Sequence, residues 1–349
     1  MMDKLNKINI SNFIRNVEIS NRYSINNDSE KDIFTLIDDG LIIRDLTPQE
    51  EEIIKAEIDR YKNYTLVDLK EIEKSPEERK KLYVFLNAAL YNNFYDISQI
   101  LMNNNRSRFS LTLEIDDDNK LSTRLSIADD IKFTANVKSF KRAIEKMKRK
   151  NISSFGQLTD IVRGRIECKS FEQVLKIVDL LKQQLPQQNK EIIEIDNMIL
   201  NPRDNYMGAV HLLIRDKETG VIFELQLSTQ NMLNFFNRKV KVDYGKREVV
   251  SDKNIFIDDD QFWSDYHDLV YKALNKLKND PKYSHLWPEF REIEKEYLEI
   301  QREIFEAEKQ GIFEQRKDQI EQRLKNLDNL INRTFSKIEK QEIIKSIEG

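Results

Sequence analysis

Lys138, Arg142 and Lys146 stand four residues apart, the spacing that lines side chains along one face of a helix. The run from Val137 to Lys150 is predicted to be that helix, and it adds Lys141, Lys148, Arg149 and Lys150 against a single acid, Glu145. A face so cationic is either solvated or gathers phosphate. Further along, Arg163 and Arg165 alternate with Val162, Gly164, Ile166 and Cys168, the pattern of a half-buried strand with two guanidinium groups on one side. Two more alternating runs follow. Val210, Leu212 and Ile214 enclose His211; Val221, Phe223, Leu225 and Leu227 enclose Glu224 and Gln226; Lys217 to Gly220 is the turn between them. Collected on one face, Arg163, Arg165, His211, Glu224 and Gln226 suit two kinds of chemistry. They are a structural set of ion pairs, or a polyphosphate–metal site, where phosphate takes the cations and a metal takes the carboxylates.

The elements that must carry these residues are legible in outline. Ser170-Phe171-Glu172-Gln173 resembles a capping box, and Phe171, Val174, Leu175, Val178, Leu181 and Leu185 continue as one helical stripe. Residues 1–130 read as mostly helical, with Leu82, Phe85, Ala89, Leu90 and Phe94 at helical spacing. A strand pattern, Phe109 to Ile115, sits there between polar loops at Asn103–Asn105 and Asp116–Asp118. From Pro288 onward, Phe290, Ile293, Tyr297, Ile300, Ile304 and Ala307 form a heptad-like stripe, broken at Gly311 and resumed by Ile320, Leu324, Leu327 and Ile331. That predicts two long antiparallel helices, packed on the protein's own body or used for self-association or a protein partner. The expected architecture is α+β, with a mixed β-sheet domain over 131–279 between a helical region at 1–130 and a helical hairpin at 280–349.

Composition narrows the function. The chain of 349 residues has 57 Lys and Arg against 61 Asp and Glu, so its surface as a whole is not built for nucleic acid, although a local basic patch is compatible with that balance. One cysteine excludes a disulfide framework or Cys-based zinc site within the chain, and three dispersed histidines form no evident metal cluster. Neither a long apolar run nor an apolar signal core near the start is present, which predicts a cytoplasmic protein with no membrane partner, export by a specialised route being the alternative.

The order of these segments resembles the synthetase domain of the RelA/SpoT-like alarmone synthetases, whose members move pyrophosphate from ATP to the 3′-hydroxyl of an acceptor nucleotide. Lys138 and Lys146-Met147 match the family's Lys-x7-Lys-Met helix, and Asp160-Ile161-Val162-Arg163-Gly164-Arg165-Ile166 matches its Asp-led strand. Asn205-Tyr206 with His211 resembles the acceptor loop, Glu224-Leu225-Gln226-Leu227-Ser228-Thr229 the Glu-x-Gln-x-Arg-Thr strand, and His267 to Lys272 the closing His-x-x-x-Tyr helix. The doubled arginine around Gly164 looks more like the small and toxin-type members.

The resemblance implies a nucleotidyltransferase-like sheet domain and an ATP-dependent pyrophosphokinase. It assigns Lys138, Arg142, Lys146 and Arg163 to ATP, and Tyr206, His211 and Gln226 to the acceptor. Asp160 and Glu224 would hold Mg²⁺, with Glu224, Asp160 and Arg165 at the catalytic centre. The acceptor would be GDP, GTP or an adenine nucleotide, in alarmone synthesis without hydrolase activity, since no His precedes His211. Two alternatives stay open: a toxin that pyrophosphorylates the tRNA 3′ end, and a catalytically inactive relative that acts by binding. Five departures bear on them. Asn136 and Ser228 stand where the family often has Arg. Tyr206 lies five residues before His211 rather than four, so either the loop carries an insertion or Met207 takes the Tyr place. Asn231 to Gln261 looks inserted. Asp160, finally, has the apolar parity of its strand and reaches the site only if it precedes the regular pleat.

Overall fold

The computed structural model describes residues 22–27, 48–104, 109–115, 121–127, 130–203, 206–251 and 254–348; the predicted loop at Asp116–Asp118 and Asn205 of the acceptor loop lie outside them. Packing gathers the chain into two compact units, one running to Asn197 and taking in Ala209–Ser228, the other formed by Met198–Gly208 and Thr229–Gly349. The first therefore joins the N-terminal region to the sheet, and the second joins the C-terminal helices to the segment before them.

The first unit is built on eight strands: β1 (Arg22–Asn27), β2 (Phe109–Ile115), β3 (Leu121–Ile127), β4 (Ile131–Val137), β5 (Val162–Cys168), β6 (Lys190–Asn197), β7 (Ala209–Asp216) and β8 (Ile222–Thr229). Their spatial order is β1-β2-β3-β4-β5-β8-β7-β6. The chain leaves β5 through a helix, Phe171–Gln184, passes to the far edge and returns by two antiparallel pairings. As a result β8, with Glu224 and Gln226, lies directly beside β5, with Arg163 and Arg165. The α+β class holds, and so does the alternation on which it was predicted. On β4 and β5 every second residue is buried, Ile131, Phe133, Ala135 and Val137 on one and Val162, Gly164, Ile166 and Cys168 on the other. Of the helices α1 (Pro48–Arg60), α2 (Leu66–Lys74) and α3 (Pro76–Asn103), the last packs along β3, β4 and β5. Its Phe94 ring stacks on Phe133 with centroids 4.8 Å apart.

One predicted element is corrected. The basic helix begins at Phe140, not Val137, and is here α4 (Phe140–Lys150). Val137 is still paired with Val162 on β5, and the Lys138 N–H donates to the Ile161 carbonyl at 2.8 Å, which extends the ladder past the strand. Ser139 is the N-cap. Lys138 consequently stands in the strand-to-helix joint, off the face shared by Arg142 and Lys146.

Two packing constraints hold this sheet. Gly164 has no room for a side chain: an added Cβ would meet the Phe223 ring at 2.6 Å and the Phe133 ring at 2.9 Å, so the neighbouring strands close over β5 at that point. At the sheet edge the buried Lys190 ammonium pairs with buried Asp96 of α3 and, at 3.7 Å, with buried Asp216 of β7. Asp216 also accepts the Glu218 and Thr219 N–H groups at 2.9 and 3.0 Å, which shapes the turn into β8.

With Phe171–Gln184 as α5, the first element of the second unit is α6 (Gln230–Phe236). A hairpin of β9 (Lys239–Ser251) and β10 (Asn254–Asp265) follows, then a π-helical segment, His267–Leu274, where the closing helix was predicted. Helices α7 (Trp287–Lys309) and α8 (Phe313–Phe335) form the predicted antiparallel pair, with a short α9 (Lys340–Glu348) after it. Every apolar residue of the two heptad-like stripes is buried. Phe235, Tyr266 and Tyr297 pack ring against ring, and the Arg238 guanidinium donates to Glu321 at 3.0 Å and Asp328 at 2.9 Å. Phe235 and Arg238, in the segment expected to be an insertion, thus pack with the C-terminal helices. Among the described residues no helix is long and apolar enough to cross a membrane.

Replacing Gly164 with Ala should overpack the sheet and lower its stability by about 1–3 kcal/mol, read as the urea midpoint of unfolding. Lys190→Met should cost more, about 3–5 kcal/mol, because it strands two buried carboxylates without a counter-charge.

Candidate active site

The site begins at the turn before β5. Asp160 precedes the regular pleat, as its parity required, and its carboxylate turns back toward the strand-to-helix joint. The Lys138 ammonium donates to Oδ2 at 2.6 Å, and the Lys146 ammonium pairs with Oδ1 at 2.8 Å. Only 11%, 22% and 13% of the Lys138, Lys146 and Asp160 side chains are exposed, so each charge depends on the others. Burial pushes the Asp160 carboxyl up, but the two ammonium groups together outweigh it and hold the pKa below the ordinary carboxylate value. For Lys138 the balance is reversed. Burial is the largest influence and lowers its pKa, with Asp160 opposing.

Beside this trio stand the residues of β5 and β8. Arg163 is buried enough that desolvation lowers its pKa, against the favourable charges of Asp160 and Glu224, and the charges of Arg142 and Arg165 add to the lowering. Its Nε donates to the Asn136 Oδ1 at 3.0 Å, across the register pair Asn136–Arg163 of β4 and β5. Asn136 is the neighbour of Arg163 that sequence reasoning passed over, since it entered only as a departure from a family pattern. The alternation Ile131, Phe133, Ala135, Val137 was the available signal, because it places Lys132, Thr134 and Asn136 on the polar face.

Glu224 lies on the same face of β8. Its carboxyl is raised by burial first and by the Asp160 charge second, while Lys146, the Gln226 side chain and Arg163 pull it down only in part. Gln226 stands two residues beyond Glu224 on the same face and pairs across the strands with His211 of β7. Of the sequence-derived candidates, then, Lys138, Arg142, Lys146, Asp160, Arg163, Arg165, Glu224 and Gln226 converge, and His211 adjoins them. Tyr206 belongs to the second unit, where its ring stacks on Phe236 at 5.1 Å. Met207 is buried there and Tyr206 is half-buried, so Tyr206 is the more accessible of the two rival positions. Ser228 is buried at the end of β8.

Among the described residues no three His, Cys, Asp or Glu side chains converge as a metal cage. The pair Asp160 and Glu224 nevertheless fits a hard divalent ion. Two carboxylates raise each other's cost of ionisation in a half-buried place, which a cation relieves. An ion such as Mg²⁺ takes one or two protein carboxylates and completes its shell with phosphate oxygens and water.

Residues 135–248 match the model of the family described as "Region found in RelA / SpoT proteins". Those residues are a RelA/SpoT region. It contains Asn136, both lysines, Asp160, both arginines, Tyr206, His211, Glu224 and Gln226, and it leaves out β1 to β3, the π-helical segment and the C-terminal helices. Among solved structures, the small alarmone synthetase 1 of Bacillus subtilis bound to its product pppGpp is 22% identical over 30% of this chain and 57% of its own, with a TM-score of 0.26. Small alarmone synthetase 2 of the same organism is 23% identical over 46% of this chain and 74% of its own, with a TM-score of 0.31. This chain spans little more than half of the first of these, and the two likenesses are partial. No curated protein matches the chain.

Asp160→Asn should leave the RelA/SpoT region folded but less stable by about 1–3 kcal/mol at neutral pH, because two largely buried ammonium groups lose their counter-charge. The folded-state pKa of Asp160 is depressed, so its contribution is present above the unfolded-state value and is lost as pH falls through the folded one. Urea titrations across pH should show the gap between wild type and variant closing only below the ordinary carboxylate range.

Proposed function

We propose that this chain is an ATP-dependent nucleotide pyrophosphokinase, which moves the β,γ-pyrophosphate of ATP to the 3′-hydroxyl of a guanine or adenine nucleotide. The observation that carries the reading is the convergence of Lys138, Lys146, Asp160, Arg163 and Glu224 inside a RelA/SpoT region. Cations for a triphosphate and acids for a divalent ion stand side by side, as phosphoryl-transfer chemistry requires.

In this mechanism Lys138, Arg142, Lys146 and Arg163 bind the ATP phosphates, and Arg165 offers a two-pronged fork to the phosphate under attack. Asn136 keeps the Arg163 guanidinium aimed by accepting its Nε–H. Glu224 accepts the proton of the acceptor 3′-hydroxyl as that oxygen bonds to the β-phosphorus; the bond from the β-phosphorus to the α,β-bridging oxygen breaks, and AMP leaves. Gln226, two residues along β8 on the same face, and His211, its partner on β7, are assigned to the acceptor. Asp160 and Glu224 would hold Mg²⁺, which when bound neutralises phosphate charge. The assignment of Tyr206 to an acceptor base rests on the sequence resemblance.

A second acceptor has one observation in its favour. Lys148, Arg149 and Lys150 are all exposed at the end of α4, beyond the cations assigned to ATP, and would suit the phosphodiester backbone of a tRNA end. Incubation with labelled ATP and, separately, GDP, GTP, ADP and tRNA decides between the acceptors. Transfer to none of them, with the protein folded, would favour the inactive binding relative.

Two outcomes test the roles. Arg165→Ala should impair ATP use more than Arg165→Lys, which keeps the charge and loses the fork. Glu224 must be ionised to accept a proton, and its pKa is raised. The acid limb of kcat/KM should therefore lie above the ordinary carboxylate range, with activity falling as pH falls through it. Glu224→Gln should abolish that limb and lower turnover by about 10²–10⁴-fold; an unchanged profile would remove Glu224 from the mechanism.

A further inference from the structure

Asp160 carries more positive charge than it needs. A single ammonium would neutralise the carboxylate, yet each of its two oxygens has its own lysine, at 2.6 and 2.8 Å. Arg163 adds a third cation, whose charge acts on both Asp160 and Lys138. Lys138, Lys146 and Asp160 come from three separate places: the joint after β4, the middle of α4 and the turn before β5. Their meeting is thus a product of the fold and not of local sequence. Half-buried sites disfavour surplus charge of one sign unless a counter-ion is to be received. Burial already presses on the Lys138 ammonium, with Lys146 and Arg163 adding to that pressure.

We propose that Lys138 and Lys146 form a counter-ion lock. In the nucleotide-free protein they occupy Asp160 and withhold it from a divalent cation, and they release it only when a triphosphate draws both ammonium groups away. The proposal rests on the reading of Asp160 as a metal ligand and adds an order to it. A bare cation meets two ammonium groups and a guanidinium at Asp160. A triphosphate meets two lysines that exchange one anion for another, and its arrival exposes the carboxylate. Metal and nucleotide therefore promote each other's binding, and the coupling is reciprocal. The lock also limits unproductive occupation of the site by metal alone.

The test is Mn²⁺ binding to the full chain, followed by the electron paramagnetic resonance of the free ion, with no turnover involved. Wild type should bind Mn²⁺ weakly on its own. Lys146→Gln, the milder variant because Lys146 is the more exposed of the two, should bind Mn²⁺ alone about tenfold more tightly, equal to about 1.4 kcal/mol. The same variant should bind α,β-methylene-ATP more weakly than wild type does, so that one substitution moves the two affinities in opposite directions. Asp160→Asn should remove the gain when combined with Lys146→Gln. Should Lys146→Gln fail to fold, Lys138→Gln makes the same comparison. On wild type itself, inorganic tripolyphosphate should increase protein-bound Mn²⁺ beyond what the Mn²⁺–tripolyphosphate complex accounts for. If Mn²⁺ binding depends on Asp160 but is neither tightened by the lysine variant nor promoted by tripolyphosphate, the lock is overturned and the metal site stands. If no Mn²⁺ binding depends on Asp160, with α,β-methylene-ATP present or absent, both fall.

Discussion

A carboxylate as enclosed as Asp160 stays ionised only if cations meet it, and the two that do so bind together three parts of the first unit. Lys138 ends the ladder between β4 and β5, Lys146 projects from the middle of α4, and Asp160 closes the turn into β5. Taking those charges out of water is costly unless all three stay in register. The ion pairs therefore fix where α4 sits relative to the strand that carries Arg163 and Arg165. The remaining site geometry follows, because Arg163 is aimed from β4 by Asn136 and flanked from β8 by Glu224.

Strand order does the rest. With β8 next to β5, the acids and the arginines become neighbours without any connecting loop between them. The same adjacency explains Gly164. Two arginines on one face of β5 need the opposite face pressed tightly into the core, where the Phe133 and Phe223 rings leave no room for a Cβ. A residue that looks like a gap between two functional side chains is a packing requirement of the other side of the sheet. The N-terminal strands widen this sheet beyond the RelA/SpoT region, and the buried Lys190 ties α3 to its far edge. The sheet that carries the site is thus extended and braced by residues that precede the matched region.

Much of this was legible in the sequence because period and chemistry agreed. Alternation alone marked β5, β7 and β8 and their polar faces, and the heptad-like stripes marked α7 and α8, since a half-buried strand or an amphipathic helix writes its buried face into every second or every third and fourth residue. The polar candidates on those faces, Arg163, Arg165, Glu224, Gln226 and His211, lie on the adjoining strands β5, β8 and β7. Where the sequence misled, two periodicities overlapped. From Val137 to Lys150 the four-residue spacing of Lys138, Arg142 and Lys146 reads as one helix, but Val137 completes the two-residue alternation of β4, and backbone pairing to β5 prevails up to Lys138. Asn136 was missed because the alternation of β4 from Ile131 to Val137 was not read as a strand.

The sequence by itself determined which side chains carry charge, which faces are apolar and the class of chemistry that such a set supports, because these are properties of residue types and of their spacing. Only the tertiary structure decided that Lys138 and Lys146 share one carboxylate, that Asn136 serves Arg163, and that Gly164 is closed in by two rings. Those facts depend on strand order and on the register between segments distant in the chain, and such register is settled by the joint packing of the sheet and its helices, not by any local pattern.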